Sequence, residues 1–273
     1  MFVPQDLAAR IDRAEARLSL AVATAARTAD PALSVHTLAI GGGAAVLLRP
    51  GSPMNKLIGL GFTGPLDPDL LTTIESTWHR HHEPVRVELS SLADPAVAAQ
   101  LGDRGYRLRG FEHVLARPLT PAAAERPLPP ELHLSDDDPA WLATLVDGFA
   151  SPDGSATPID PVGRESLDEI MRDFAAAPGF HRYTARIAGT IVGAAAMRID
   201  DGIALLCGAA TLPAARRRGV QAALLAARLR DASRRGCELA VVTTEPGSLS
   251  QHNVTRQGFA LAHVRAIATL AHP

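Results

Sequence analysis

The sequence predicts a mixed α/β fold of the α+β kind, built as two similar units, and three observations carry that prediction. Strand-like and helix-like periodicities alternate along all 273 residues. A seam from Arg117 to Leu132, RPLTPAAAERPLPPEL, separates two such runs, since its five prolines neither donate ladder hydrogen bonds nor continue a helix. The two halves also end alike: Pro84–Leu89 stands 21 residues before Gly105-Tyr106, and Cys237–Val242 stands 21 residues before Gly258-Phe259. Each ending reads strand, short helix, Gly-aromatic, strand, and matched order over several elements points to duplication of one unit. The expected division is a first domain 1–120, a Pro-rich linker 121–130 and a second domain 131–273.

Taken in order, Asp6 to Arg27 has helical periodicity. Ser34–Ile40 and Ala44–Arg49 read as paired strands around Gly41, Gly42 and Gly43, and Lys56–Phe62 as a third. A helix Asp69–Arg80, a strand Val85–Leu89, a helix Pro95–Leu101 and a strand Tyr106–Arg117 complete the first half. In the second, strand Leu132–Leu134 leads through Asp136, Asp137 and Asp138, good N-cap residues, into a helix ending near Phe149. A Pro/Gly/Ser loop from Ser151 to Gly163 precedes a helix Glu165–Ala176 and strands Phe180–Ile187, Thr190–Ile199 and Ile203–Thr211. A long helix Arg216–Arg235, strand Glu238–Thr243, short helix Ser250–Arg256 and strand Phe259–Thr269 finish the chain.

Composition narrows the function. With 27 basic and 29 acidic side chains the formal charge is −2, which argues against a surface built wholly for nucleic acid or anionic membrane, so any anion site is local. Lys56 is the only lysine, which removes Schiff-base mechanisms and the lysine-dependent phosphate loop unless Lys56 itself serves. Cys207 and Cys237 show no C-x-x-C or metal spacing, so no metal is expected and a reducing cytoplasm is the natural reading. Met1–Leu20 alternates charged with apolar residues, unlike a signal peptide or membrane span.

The chemistry-bearing stretch is Thr211-Leu-Pro-Ala-Ala-Arg-Arg-Arg-Gly-Val-Gln-Ala-Ala-Leu-Leu225. A strand delivers the chain to Pro213, and Arg216 is expected to open a helix with Val220, Leu224, Leu225 and Leu229 on one stripe. Three arginines in a first turn oppose the helix dipole unless something negative sits there. A strand, a close-approach glycine at Gly219 and a helix N-terminus together make the geometry that wraps a pyrophosphate in N–H groups. A solvated basic helix end is the plainer alternative.

Strand, then Pro213-x-x-Arg216-x-x-Gly219-x-Gln221-x-x-Leu224-Leu225, then a long helix, resembles the acetyl-CoA signature Gln/Arg-x-x-Gly-x-Gly/Ala of the GCN5-related N-acetyltransferase (GNAT) superfamily. The element order after Leu132 is similar to that family's fold, and the resemblance covers roughly residues 130–271. It implies that each unit is a mixed, mostly antiparallel twisted sheet flanked by helices, the first a degenerate copy without the cofactor loop. It implies acetyl-CoA as cosubstrate, with Ala209, Ala210 and Thr211 pairing their backbone with the pantetheine arm and lending an N–H to the thioester carbonyl. Arg216, Arg217, Arg218, Gly219, Val220, Gln221 and Ala222 supply the pyrophosphate cradle on this reading. Gln221 departs from the signature, so its side chain must turn away from the pyrophosphate or bond to it. The reaction implied is direct attack of a neutral amine, on a small molecule or a peptide, with no covalent enzyme intermediate.

The tail Pro246-Gly-Ser-Leu-Ser-Gln-His-Asn-Val-Thr-Arg-Gln-Gly-Phe259 falls where the family places its last helix, with Val254 at the position of its thiolate-protonating Tyr. Glu245 is the candidate base and Ser250 the substitute acid; Asn253 and Ser248 are candidate cofactor contacts, although Ser248 and Ser250 also suit helix capping. Asp147 and His252 are weaker base candidates. Gly59-Leu-Gly-Phe-Thr-Gly64 matches a dinucleotide motif, but Pro65 and Pro68 delay the helix behind it, so the first half is read as structural or acceptor-shaping and free of nucleotide. His79, Arg80, His81 and His82 read as a solvated helix end rather than a metal site, because adjacent residues on a helix do not face one way. The arginine-rich 216–235 segment lacks the interleaved aromatics of a nucleic-acid binder. A non-catalytic CoA-binding or interaction module is the alternative function. The acceptor's identity and the oligomeric state leave no mark in the sequence.

Overall fold

The computed structural model describes residues 2–120, 132–135, 139–151 and 163–271. The expected linker 121–130, the three aspartates 136–138 and nearly all of the Ser151–Gly163 loop lie outside the described residues. In chain order the first half carries α1 (Gln5–Ala29), β1 (His36–Ile40), β2 (Gly43–Leu47), β3 (Lys56–Ile58), α2 (Pro68–Arg80), β4 (Val85–Ser90), α3 (Pro95–Asp103) and β5 (Arg107–Pro118). The second carries β6 (Leu132–Ser135), α4 (Trp141–Phe149), α5 (Arg164–Ala176), β7 (Phe180–Ile187), β8 (Thr190–Asp200), β9 (Ile203–Thr211), α6 (Val220–Arg234), β10 (Leu239–Thr244), α7 (Leu249–Thr255) and β11 (Ala260–Leu270).

Two compact units result. Among the described residues the first takes 2–114 and 261–271, and the second takes 115–120, 132–135, 139–151 and 163–260. The sequence puts the last strand with the second domain; instead β11 pairs antiparallel with β4, from Arg265 opposite Ser90 to Leu270 opposite Val85. Alternation along a strand says that one face is buried but not which sheet edge it joins. The partners of Arg265, which is wholly buried, decide it here: its Nη2 donates to Asp12 Oδ1 at 2.7 Å and its Nη1 to Glu15 Oε2 at 2.6 Å, both on α1.

In the first unit the strand order is β1-β2-β3-β4-β11-β5, antiparallel from β1 to β3 and parallel between β3 and β4. One face buries Leu71, Ile74 and Trp78 of α2 with Leu57, Val85, Val87 and Leu101. A buried charge cluster also belongs to this unit, with Lys56 Nζ donating to Glu88 at 2.9 Å and Glu112 nearby on β5. Burial opposes ionisation of Asp12, and the Arg265 guanidinium with His263 overrides it, holding the carboxyl below the ordinary range.

In the second unit the order runs from the end of β5 through β10-β9-β8-β7-β6, with β6 to β9 antiparallel and β10 parallel to β9. Val220, Leu224, Leu225 and Leu229 of α6 pack on one face with Met197, Leu206, Val254 and Phe259. Trp141 and Leu145 of α4 cover Ala194 and Ala196 on a second, smaller cluster.

The repeat extends to hydrogen bonds. After α3, Gly105 N–H donates to Gly102 O and Tyr106 N–H to Leu101 O, both at 3.0 Å. After α7, Gly258 N–H donates to Thr255 O at 3.0 Å and Phe259 N–H to Val254 O at 3.2 Å. Both glycines are left-handed, with φ 88° and 85°, which is why glycine stands at both turns.

Candidate active site

The site begins where two parallel strands part. Strands β9 and β10 pair from Ile203–Leu239 to Leu205–Val241, yet both continue, β9 to Thr211 and β10 to Thr244. The cause lies on the other edge of β9: the β8 register shifts between Ala195 and Ala196, opposite Ala209 and Cys207, leaving Gly208 as the extra residue. Its φ of 52° is a left-handed bulge conformation that glycine adopts without strain. Beyond the bulge Ala209, Ala210 and Thr211 stay paired with β8, opposite Ala195, Ala194 and Gly193. Their other edge has left β10, which makes room for an extended chain with amide groups of its own.

From there a short 3-10 turn, Pro213–Ala215, leads to a loop and then to α6. The helix starts at Val220, not at Arg216 as the periodicity suggests, because Arg216 is extended and Arg217 and Gly219 are left-handed, with φ 64° and 79°. The three arginines therefore precede the helix; Arg217, Arg218 and Gly219 are exposed. Arg216 folds back, its Nε donating to Thr211 O at 3.4 Å and its Nη2 to Ser151 O. Ala223 N–H is the first to donate within the helix, to Gly219 O at 3.0 Å, so the N–H groups of Val220, Gln221 and Ala222 have no intrahelical acceptor. Among the described residues no side chain caps them.

The corresponding helix of the first unit differs at this point. At the start of α2, the Asp67 carboxylate accepts from Asp69 N–H at 2.9 Å and Leu70 N–H at 3.2 Å, so the protein's own anion occupies that N-terminus. The Gly59–Gly64 loop before it is knitted inward, with Gly61 N–H donating to Gly41 O and Gly61 O accepting from Asp94 N–H at 2.7 Å.

Two predicted cofactor contacts meet each other: Asn253 Nδ2 on α7 donates to Gln221 Oε1 on α6 at 2.6 Å. Ser248 caps α7, accepting from Gln251 N–H at 3.1 Å. Glu245 is half-buried directly after β10, its carbonyl accepting from Ser248 N–H, and Ser250 is exposed on α7. Val254 is buried in the α6 core, as Leu101 is at the equivalent turn of the first unit. Sequence reasoning missed Thr244, whose Oγ1 at the end of β10 is buried with no partner among the described residues. A strand-end threonine carries no sequence signal of that kind.

The weaker candidates lie apart. His81 turns toward β1, its Nε2 2.9 Å from His36 Nε2, and burial together with His81 holds His36 below the usual imidazole range. Asp147 pairs with Arg164, and His252 is exposed. Among the described residues no three His, Cys, Asp or Glu side chains are grouped to hold a metal ion, and no helix is long and apolar enough to cross a membrane. A cavity of about 480 Å³, lined by His181, Tyr183, Asp231 and Arg235 among others, lies at the far end of α6 from Gly219.

Comparison with known proteins bears on the family and the fold. Residues 150–259 match the model of a family described as the acetyltransferase (GNAT) family. No curated protein matches the sequence. Among solved structures, a GCN5-related N-acetyltransferase from Kribbella flavida is similar at TM-score 0.65 and 20% identity, covering 93% of this chain and 94% of that one. A GCN5-related N-acetyltransferase from Sphaerobacter thermophilus gives TM-score 0.57 and 17% identity over 84% of this chain and 77% of that one. A tandem GNAT protein from the clavulanic acid biosynthesis pathway gives 0.62 and 13% over 92% and 88%. At those identities the structural likeness speaks for the fold, and with the family match it shows that the chain carries a GNAT acetyltransferase domain at residues 150–259, in a fold shared with tandem GNAT proteins.

Proposed function

We propose that the second unit transfers an acetyl group from acetyl-CoA to an amine by direct attack, and that the first unit is structural or shapes the acceptor site. The observation that carries this reading is the uncapped N-terminus of α6 beside the parting of β9 and β10. Its three donors, with Gly219 and the exposed Arg217 and Arg218, suit a pyrophosphate, while the strand edge at Ala209–Thr211 suits a pantetheine arm. An N–H at that edge would polarise the thioester carbonyl. Glu245 is assigned as base, through water, and Ser250 as acid. Two thiols that form no disulfide suit a reducing compartment such as the cytoplasm.

Val254 in the core supplies no hydroxyl, which is what the alternative, a non-catalytic CoA-binding module, would expect. Steady-state release of free CoA with a panel of small amines and peptide N-termini separates the two. Amine-dependent release supports transfer; acetyl-CoA binding without release under any amine supports the module.

A further inference from the structure

The bulge that parts β9 from β10 is held from both sides of the sheet. Ala195 and Ala196 flank the register shift, and each carbonyl accepts from a buried side chain of a different helix. Trp141 Nε1 of α4 donates to Ala195 O at 2.8 Å, and Arg228 Nη1 of α6 donates to Ala196 O at 3.2 Å. Trp141 is 2% exposed and Arg228 4%.

Arg228 is an unexpected residue there. It sits on the helix face that otherwise carries Val220, Leu224 and Leu225, and its second bond is Nε to Leu224 O at 3.2 Å. Among the described residues it has no carboxylate partner, and burial brings its guanidinium down to about 10. A leucine or methionine would fill such a place without desolvating a cation, so packing alone does not account for it. Its bond to Ala196 O does, because it ties the helix to the residue of β8 that stands beside the register shift.

The same segment is confined elsewhere. A Cβ on Gly148 of α4 would lie 2.4 Å from Ala210 Cβ, and one on Gly193 would lie 2.6 Å from Val220 Cγ1. Trp141 is itself fixed by the Arg182 guanidinium carbon, 5.1 Å from its ring centroid. Resting on the acetyl-transfer reading, we infer that Arg228 and Trp141 are positioning residues, which pin the bulge at Gly208 and so fix the direction in which the Ala209–Thr211 backbone meets the thioester. Neither touches substrate; both act through Ala195 and Ala196.

The test uses the full chain with Trp141→Phe, which keeps the ring and deletes one N–H, and with Arg228→Met and Arg228→Lys. Two readouts are taken: amide hydrogen exchange of residues 206–212, and kcat beside the acetyl-CoA Kd. In Trp141→Phe and Arg228→Met, exchange at 206–212 should quicken about tenfold or more while the first turns of α6 stay protected. Their kcat should fall about ten- to a hundredfold with the Kd within about threefold, the pattern of lost alignment rather than lost binding, and Arg228→Lys should restore much of it. Unchanged exchange overturns the clamp whatever the activity does. Quickened exchange with kcat falling and Kd rising together, or with no rescue by lysine, shows a merely structural contact. A wild-type chain that releases no CoA with any amine fails earlier, taking down the acetyl-transfer reading and the catalytic role with it.

Discussion

Asn253 donates its side-chain amide to Gln221 across 2.6 Å, tying the first turn of α6 to α7. Gln221 stands where the GNAT signature has Gly or Ala, and the bond turns its side chain toward α7, leaving room over the helix N-terminus. If that is its purpose, Gln221→Ala and Asn253→Ala each remove the same contact. Asn253→Ala, which frees the Gln221 side chain, should weaken acetyl-CoA binding by about 1 kcal/mol, while Gln221→Ala leaves nothing to turn aside and should cost little, and the double variant should match Gln221→Ala. Calorimetry on the four proteins checks it; additive losses would mean that the two side chains bind the cofactor independently.

The leaving group is the next prediction. A thiol with a pKa of roughly 8.5 departs near neutral pH without much help, so the absence of a tyrosine at Val254 need not stop turnover. The limiting proton transfer is then from the amine, and the rate should rise with pH through the ammonium or base pKa without a steep fall at high pH. Glu245→Gln should lower kcat more than Ser250→Ala, with acetyl-CoA affinity little changed in both. A loss of more than about a hundredfold in Ser250→Ala would instead make the serine a true general acid.

Gly148→Ala should damage the site from a distance. The added methyl would stand 2.4 Å from Ala210 Cβ, so α4 or the end of β9 must move. We expect a destabilisation of about 1–3 kcal/mol and a raised KM for acetyl-CoA. Gly163→Ala, where the same methyl meets nothing within 4 Å, is the control. Equal thermal midpoints and KM values for the two variants would refute the close contact.

A pH-dependent stability term resides in the first unit. Burial first, and the neighbouring Glu88 carboxylate second, push Glu112 up to about 7, and Arg86 at 3.5 Å does not offset them. The folded chain thus holds a proton that the unfolded chain has released between the ordinary carboxylate pKa and about 7, so stability falls as pH rises through that window. Glu112→Gln should flatten the fall and stabilise the protein at pH 8 by a few kcal/mol at most, on the order set by the shift. Denaturant midpoints from pH 5 to 8 measure it; parallel wild-type and variant curves would contradict it.

Much of this fold was legible because its signals are local. The glycines at 105 and 258 announce two identical helix ends, and Pro213 with Gly219 bounds the cofactor loop. The start of α6 was misplaced because helical spacing continues back through Arg216, while the left-handed turn at Arg217 has no compositional mark. Gly208 falls inside the predicted strand Ile203–Thr211, and its bulge depends on the register of β8, which is not written in β9. Asp12 and Arg265 stand 253 residues apart in the sequence, and only the fold brings them together. For the same reason Trp141 and Arg228 gave no hint of a shared role.

The most direct measurement is calorimetric titration of the full chain with acetyl-CoA. The account predicts one site per chain, abolished in Gly219→Glu, where a side chain in a left-handed position sets a carboxylate against the helix donors. Arg216→Ala should weaken that site mildly, since the backbone N–H groups remain. Two sites per chain, or one that survives Gly219→Glu, would contradict the assignment of the α6 N-terminus as the cofactor cradle.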